Sequence, residues 1–209
     1  MDEMADTIKP ATTAVGDIIT FGPYQWRVLD VQPDRMLVIT ESVIEKRSYN
    51  EEYIDITWEQ CTLRKYLNGE FYNNFNAADR ARIIQVTNTN PSNPWDFAKH
   101  GGRNRTTGGA NTKDYIFLLS LDEVVRYFGD SGQLSNQKHP NNEWWGFYDQ
   151  FSKNRIAYNS NNDAWWWLRS PGSLSLTASY VHYVGDISVD GGYVLDGDGG
   201  IRPALWLHL

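Results

Sequence analysis

A single cysteine, Cys61, stands among 209 residues. It excludes an internal disulfide and a multi-cysteine zinc site. No apolar run approaches the ~20 residues of a membrane span, and the start, Met1-Asp2-Glu3-Met4-Ala5-Asp6, is acidic where a secretory leader is basic and then apolar. Nor is there a run of lysine and arginine. With 19 basic against 26 acidic side chains the net charge is −7, the opposite of the clustered positive footprint of a nucleic-acid binder. These absences predict no nucleic-acid partner and no membrane insertion. They fit a cytosolic protein, a phage component, or a domain cut from a longer surface protein.

What the chain does have is aromatic bulk: 9 Trp, 12 Tyr and 8 Phe, beside 17 Gly. Each aromatic can hide roughly 150–250 Å², so a substantial core is within reach. The length suits one domain. Residues 1–15 are small and polar and read as a flexible tail, leaving 16–209 as the folded unit.

Three β-rich runs open that unit, Ile18 to Phe21, Tyr24 to Val31 and Met36 to Thr40. Gly22-Pro23 and Gln32-Pro33-Asp34-Arg35 supply the turns of an antiparallel meander. The capping-box spacing of Thr57 to Gln60 predicts a helix reaching Asn68, and a second is expected from Asn76 or Ala77 to about Val86. Ser120-Leu121-Asp122-Glu123 predicts a third, stopping at Gly129. Tyr115 to Leu119 reads as a buried strand. Residues 87–114 and 129–163 are long and loop-like. Strands return at Trp165 to Arg169, Ser179 to Val184, Ile187 to Val189, near Val194, and at Ala204 to His208. The order predicts an α+β fold with both termini in one sheet.

Few residues suggest chemistry. His100, His139, His182 and His208 are scattered, without metal-ligand spacing. Cys61 lies on an apolar face, where a thiol serves as a small hydrophobe more often than as a nucleophile. Gly101 to Gly109 is glycine-rich but lacks the Gly-Lys-Ser/Thr ending of a phosphate loop. Asp196 and Asp198 could contribute to a Ca²⁺ site, though no twelve-residue calcium loop surrounds them. In Trp165-Trp166-Trp167, strand alternation puts Trp165 and Trp167 on one face and Trp166 on the other. Core packing, with Arg169 anchored by hydrogen bonds, is the simpler reading; sugar stacking is the other.

Two motifs near the end carry more information. Trp166-Trp167-Leu168-Arg169-Ser170-Pro171-Gly172, about thirty residues, and then Gly200-Ile201-Arg202-Pro203-Ala204-Leu205-Trp206-Leu207 resemble a bacterial family of domains common in gut Firmicutes and their phages. Phe21-Gly22 with Trp26 to Leu29, Leu63 to Asn68 and Ile116 to Ser120 fit the same pattern. The family is similar to a branch of the C-type lectin fold that also holds formylglycine-generating enzymes, and it includes variable proteins of diversity-generating retroelements. In those systems a reverse transcriptase rewrites adenines, mostly in asparagine codons, of a C-terminal variable repeat. The resemblance implies a C-type lectin-like scaffold of antiparallel sheets and about three helices, displaying rewritten side chains on a ligand-binding surface.

Rewriting the first two letters of AAC or AAT cannot yield Lys, Glu, Gln, Met or Trp. None of these occurs from Ser173 to Gly200, although together they fill 35 of the 209 positions. The expected variable region is therefore 173–200. Its expected displayed positions are Ser173, Leu174, Ser175, Leu176, Thr177, Ser179, Tyr180, His182, Tyr183, Asp186, Ser188, Asp190, Tyr193, Leu195, Asp196 and Asp198. Ala178, Val181, Gly185, Val189 and Val194 would hold the strands in register. Trp166, Trp167, Arg169, Arg202 and Trp206 would form the scaffold. Tyrosines among small polar residues also suit an adaptable binding surface.

The Ca²⁺-lectin signatures Glu-Pro-Asn and Trp-Asn-Asp are absent, as is the cysteine pair of the formylglycine-generating branch. The expectation is a non-enzymatic binding protein with no cofactor and no metal, recognising a protein or surface ligand, glycans included. A fixed carbohydrate- or cell-wall-binding module, using Trp144 or Trp145, is the alternative. Ligand identity and oligomeric state lie beyond the sequence.

Overall fold

A computed structural model describes residues 13–95, 106–136, 146–160 and 162–209. Most of the expected tail lies outside these residues, as do Trp144, Trp145, His100, His139 and most of the Gly101 to Gly109 run.

The N-terminal meander forms as its turn chemistry predicts: β1 (Ile18–Phe21), β2 (Tyr24–Val31) and β3 (Arg35–Thr40), each antiparallel to the next. A short β4 (Glu45–Lys46) follows. Helix α1 (Thr62–Tyr66) begins later than its capping-box spacing suggests. Thr57 to Gln60 folds as a turn, and the cap is Cys61, whose Sγ accepts from the Arg64 amide at 3.4 Å. A π-helical turn, Leu67–Phe71, extends α1. Helix α2 (Ala77–Arg82) is capped by Asn76 but ends before Ile83. Ile83–Ile84 instead forms β5, because these β-branched residues cover the edge of the C-terminal strand.

Strands β6 (Val86–Asn88) and β7 (Thr112–Asp114) pair across the first long loop. Tyr115 to Leu119 is largely buried, yet it is not a regular strand: its one bridge joins Phe117 to Ala204. Helix α3 (Leu121–Phe128) carries the complete Ser120–Glu123 capping box. The second loop region contains α4 (Gln133–Asn136), β8 (Gly146–Phe147), α5 (Ser152–Arg155), β9 (Ala157–Asn159) and β10 (Asn162–Ala164). The chain closes with β11 (Trp166–Pro171), β12 (Thr177–Val181), β13 (Ile187–Tyr193), β14 (Gly200–Ile201) and β15 (Ala204–His208). The run near Val194 is not a separate strand: β13 ends at Tyr193 and the chain turns.

Two sheets organise the molecule. One has the order β1-β2-β3-β15-β5, so the N- and C-terminal strands share it, as expected. The other has the order β4-β14-β11-β12-β13-β8 and is antiparallel except where β11 and β14 run parallel. This is an α+β architecture of mostly antiparallel sheets and few helices. No helix among the described residues is long and apolar enough to cross a membrane.

Strand β11 is buried along its whole length, which explains why its sequence is apolar on both faces. Trp166 packs against Phe128 and the Arg202 guanidinium. Trp167, on the other face, meets Tyr49, Trp165 and Tyr180. Tryptophan alternation along the strand thus joins two layers of core.

Candidate ligand-binding surface

The surface is built outward from Trp167. Its indole Nε1 donates to the Arg47 carbonyl at 3.0 Å, and Trp165 stands edge-on to it at 4.7 Å. The turn after β13 passes so close that a Cβ on Gly199 would lie 2.0 Å from Trp167 Nε1. Only glycine lets the backbone seat there. The hairpin tip between β12 and β13 is fixed similarly. Gly185 has φ +85°, and a Cβ on it would meet the Ser152 carbonyl oxygen at 1.9 Å.

Arginines clamp the flanks. Arg169 is buried; it donates to the Leu118 carbonyl at 2.8 Å and pairs with Glu123. Glu123 also completes the cap of α3, and Ser170 Oγ accepts from the Leu121 amide at 2.9 Å. The Ile116 to Ser120 and Trp166 to Gly172 motifs, separate in sequence, are therefore one joint. Arg202 donates to the carbonyls of Thr40 and Glu41 at 2.7 and 3.2 Å, and burial pushes its guanidinium down to about 10. It also lines a recess of about 410 Å³ with Arg27, Glu41 and Tyr127. Trp206, expected in the scaffold core, is half-buried on the outer face of β15 with Arg35 lying over its ring at 4.6 Å.

Arg155, unremarkable in the sequence, holds the hairpin tip. It is fully buried, pairs with Asp149 at 2.6 Å and donates to the Gly185 carbonyl at 2.9 Å. Burial disfavours charge on Asp149, yet hydrogen bonds from Ser131 and the Arg155 charge hold its carboxyl below the usual range. Asn93 is a second missed anchor, donating to the carbonyls of Pro171 and Val189, each at 2.8 Å. Neither residue has a sequence signal for this role, since the carbonyls they hold, Gly185 for Arg155 and Pro171 and Val189 for Asn93, lie 30 to 96 residues away.

The framework positions Ala178, Val181, Gly185, Val189 and Val194 are all buried. Of the expected displayed positions, Tyr183, Tyr193, Leu195, Asp196 and Asp198 are exposed. Ser173, Leu174, Ser175, Leu176, Tyr180, His182, Asp186 and Asp190 are partly exposed. Three are not displayed. Ser179 is fully buried and donates to the Pro171 carbonyl at 2.9 Å. Thr177 Oγ1 donates to the carbonyls of Leu174 and Asp190. Ser188 Oγ bonds to Asp190 Oδ1 at 2.7 Å and accepts from the Gly191 amide. Thr177 turns in to close the 174–177 turn, whereas for Ser179 and Ser188 the register between β12 and β13 shifts between Ala178 and Tyr180. Simple alternation then no longer tells inside from outside.

These residues lie within a recognisable sequence family. The profile of a domain of unknown function, DUF6273, matches residues 33–209. The chain belongs to that family. No curated protein and no solved structure matches it. The match takes in every element of this surface, from β4 to the C-terminal strand.

One further wall of this surface comes from residues 47–56, which no sequence motif marks. The Asn50 amide donates to the Val194 carbonyl at 2.8 Å, and the Ile56 amide to the Ser175 carbonyl at 2.9 Å. Ser48 Oγ donates to the Leu195 carbonyl at 2.9 Å. Tyr53 is thereby brought to 5.5 Å from Tyr193, edge to face. Elsewhere, burial raises the Cys61 thiol to about 12, and no cluster of His, Cys, Asp or Glu among the described residues could hold a metal ion.

Proposed function

We propose that this chain is a non-enzymatic binding protein of C-type lectin-like fold, the variable protein of a diversity-generating retroelement, with 173–200 as its display segment. One observation carries the reading. The segment free of Lys, Glu, Gln, Met and Trp contains both stretches of exposed side chains near the C-terminal strands, the 182–186 turn held by buried Arg155 and residues 193–198 leading into the close approach of Gly199 to buried Trp167. Such a surface tolerates replacement because its side chains contribute little to folding. Meanwhile Trp166, Trp167, Arg169 and Arg202 hold the backbone beneath it. The shared terminal sheet and the second sheet bearing the segment also support the lectin-like reading. The buried, high-pKa Cys61 is a poor nucleophile, which favours binding over covalent chemistry.

A fixed carbohydrate- or cell-wall-binding module is the second reading. The open Tyr53–Tyr193 pair favours it, since exposed rings also stack on sugars. The two separate on the DNA around the coding sequence. The first expects a reverse transcriptase gene and a near-copy of the 173–200 coding segment that differs at adenines. Differences spread over all four bases, or no such copy, would overturn it.

A further inference from the structure

We infer that the recess between Tyr53 and Tyr193 reads an arginine side chain presented by a polypeptide partner. The inference rests on the reading of 173–200 as a binding surface, and assigns a ligand chemistry to the form of that surface this sequence carries. Tyr53, Tyr193, Leu195 and Asp196 enclose an open recess of about 370 Å³, within the size range of ligand pockets, roughly 300–1,000 Å³. Tyr53, Ile54, Tyr193 and Leu195 are each 46–55% exposed, a concentration of apolar surface that gains from being covered.

Charge selects the occupant. Residues 50–56 and 193–199 carry Glu51, Glu52, Asp55, Asp196 and Asp198 and contain no lysine or arginine. The nearby cations are engaged at the border: Lys46 with Asp198 at 3.2 Å, and Arg47 over the Tyr66 ring at 3.8 Å and with Glu45 and Glu51 at 3.7 and 4.0 Å, which leaves Glu52, Asp55 and Asp196 without an ion pair among the described residues. One of the Asp196 oxygens accepts from the Asp198 amide. Aromatic walls with a free carboxylate beside them suit a guanidinium. It is planar, weakly hydrated, and able to stack on a ring while its N–H fork reaches a carboxylate. The hydrogen bonds from Asn50, Ser48 and Ile56 into the C-terminal segment hold Tyr53 in place before binding, which lowers the ordering cost. Tyr53 lies outside the display segment, so its ring would stay as one wall while Tyr193, Leu195 and Asp196 vary, and the arginine preference belongs to the present residues at those three positions.

The test is fluorescence anisotropy on the full chain. The probes are a labelled glycine–serine dodecapeptide carrying three arginines, the same peptide with the uncharged isostere citrulline, and labelled chitotetraose as a neutral glycan. The arginine peptide should bind at least tenfold more tightly than the citrulline peptide. Tyr53→Ala and Tyr193→Ala, both at exposed sites, should each weaken it at least fivefold, and Asp196→Asn should narrow the arginine preference. Tyr148→Ala, at an exposed site outside the display segment and the recess, should stay within twofold. Equal binding of the two peptides, indifference to Tyr53→Ala, or chitotetraose binding without peptide binding would overturn the assignment. Failure here with an adenine-restricted repeat present would leave the display reading standing. Success without such a repeat would uphold the recess and remove diversification.

Discussion

Replacing Trp167 with alanine removes the floor on which the surface is built. The side chain is fully buried. A buried aromatic hides roughly 150–250 Å², which at ~25 cal/mol per Å² is about 4–6 kcal/mol. The indole also donates to the Arg47 carbonyl, and losing that bond leaves the acceptor without its donor, at about 1 kcal/mol. Trp165 and Tyr180 can lean into part of the space, so the expected loss is about 3–5 kcal/mol. With a urea m-value near ~2 kcal/mol/M, the unfolding midpoint falls by about 2 M. Tyr183, exposed on the hairpin tip, should cost no more than ~0.5 kcal/mol when cut to alanine. Urea titrations followed by tryptophan fluorescence and by far-ultraviolet circular dichroism read both variants. Equal losses at the two sites would refute the division into floor and display.

Three further outcomes follow from the same geometry. Ser179→Asn should destabilise by about 1–3 kcal/mol, because the larger amide must enter a closed site; an unchanged melting temperature would show that the position faces water after all. Asp149→Asn strands the buried Arg155 charge and should cost about 3–5 kcal/mol at neutral pH. The folded-state pKa of Asp149 is lowered, so its contribution is present above about pH 4 and lost as the pH falls through the lower folded value. Stability-versus-pH curves of the variant should lack that part of the acid limb, and an identical limb would contradict the pairing. With its pKa near 12, native Cys61 should be about a ten-thousandth thiolate at pH 8 and react with a disulfide reagent only after unfolding. Rapid native labelling would place it at the surface.

Much of the frame was legible because its signals are local. Turn residues set the first three strands, and Ser120 with Glu123 set α3. Alternation placed Trp166 and Trp167 on opposite faces. Helix α1 was misplaced because Thr57 matched a capping spacing that the turn at 57–60 does not use; Cys61, a rare cap, took that role. Ile83 and Ile84 left the helical pattern because β15 needed an edge partner. Within the display segment, alternation failed at Ser179 and Ser188, where the β12–β13 register shifts. The wall carrying Tyr53 was invisible for a different reason. It is held by backbone hydrogen bonds spanning more than a hundred residues, and a backbone partner leaves no mark on side-chain pattern.

The most direct test of the display reading is deep sequencing of this locus across a growing population, with each variant codon placed on the fold. The reading predicts substitutions confined to adenines of a template repeat. They should accumulate at exposed positions such as Tyr183, Tyr193, Leu195 and Asp196, and spare Trp166, Trp167, Arg169 and Arg202. An invariant 173–200 segment, or changes scattered over all bases and over the buried floor, would contradict it.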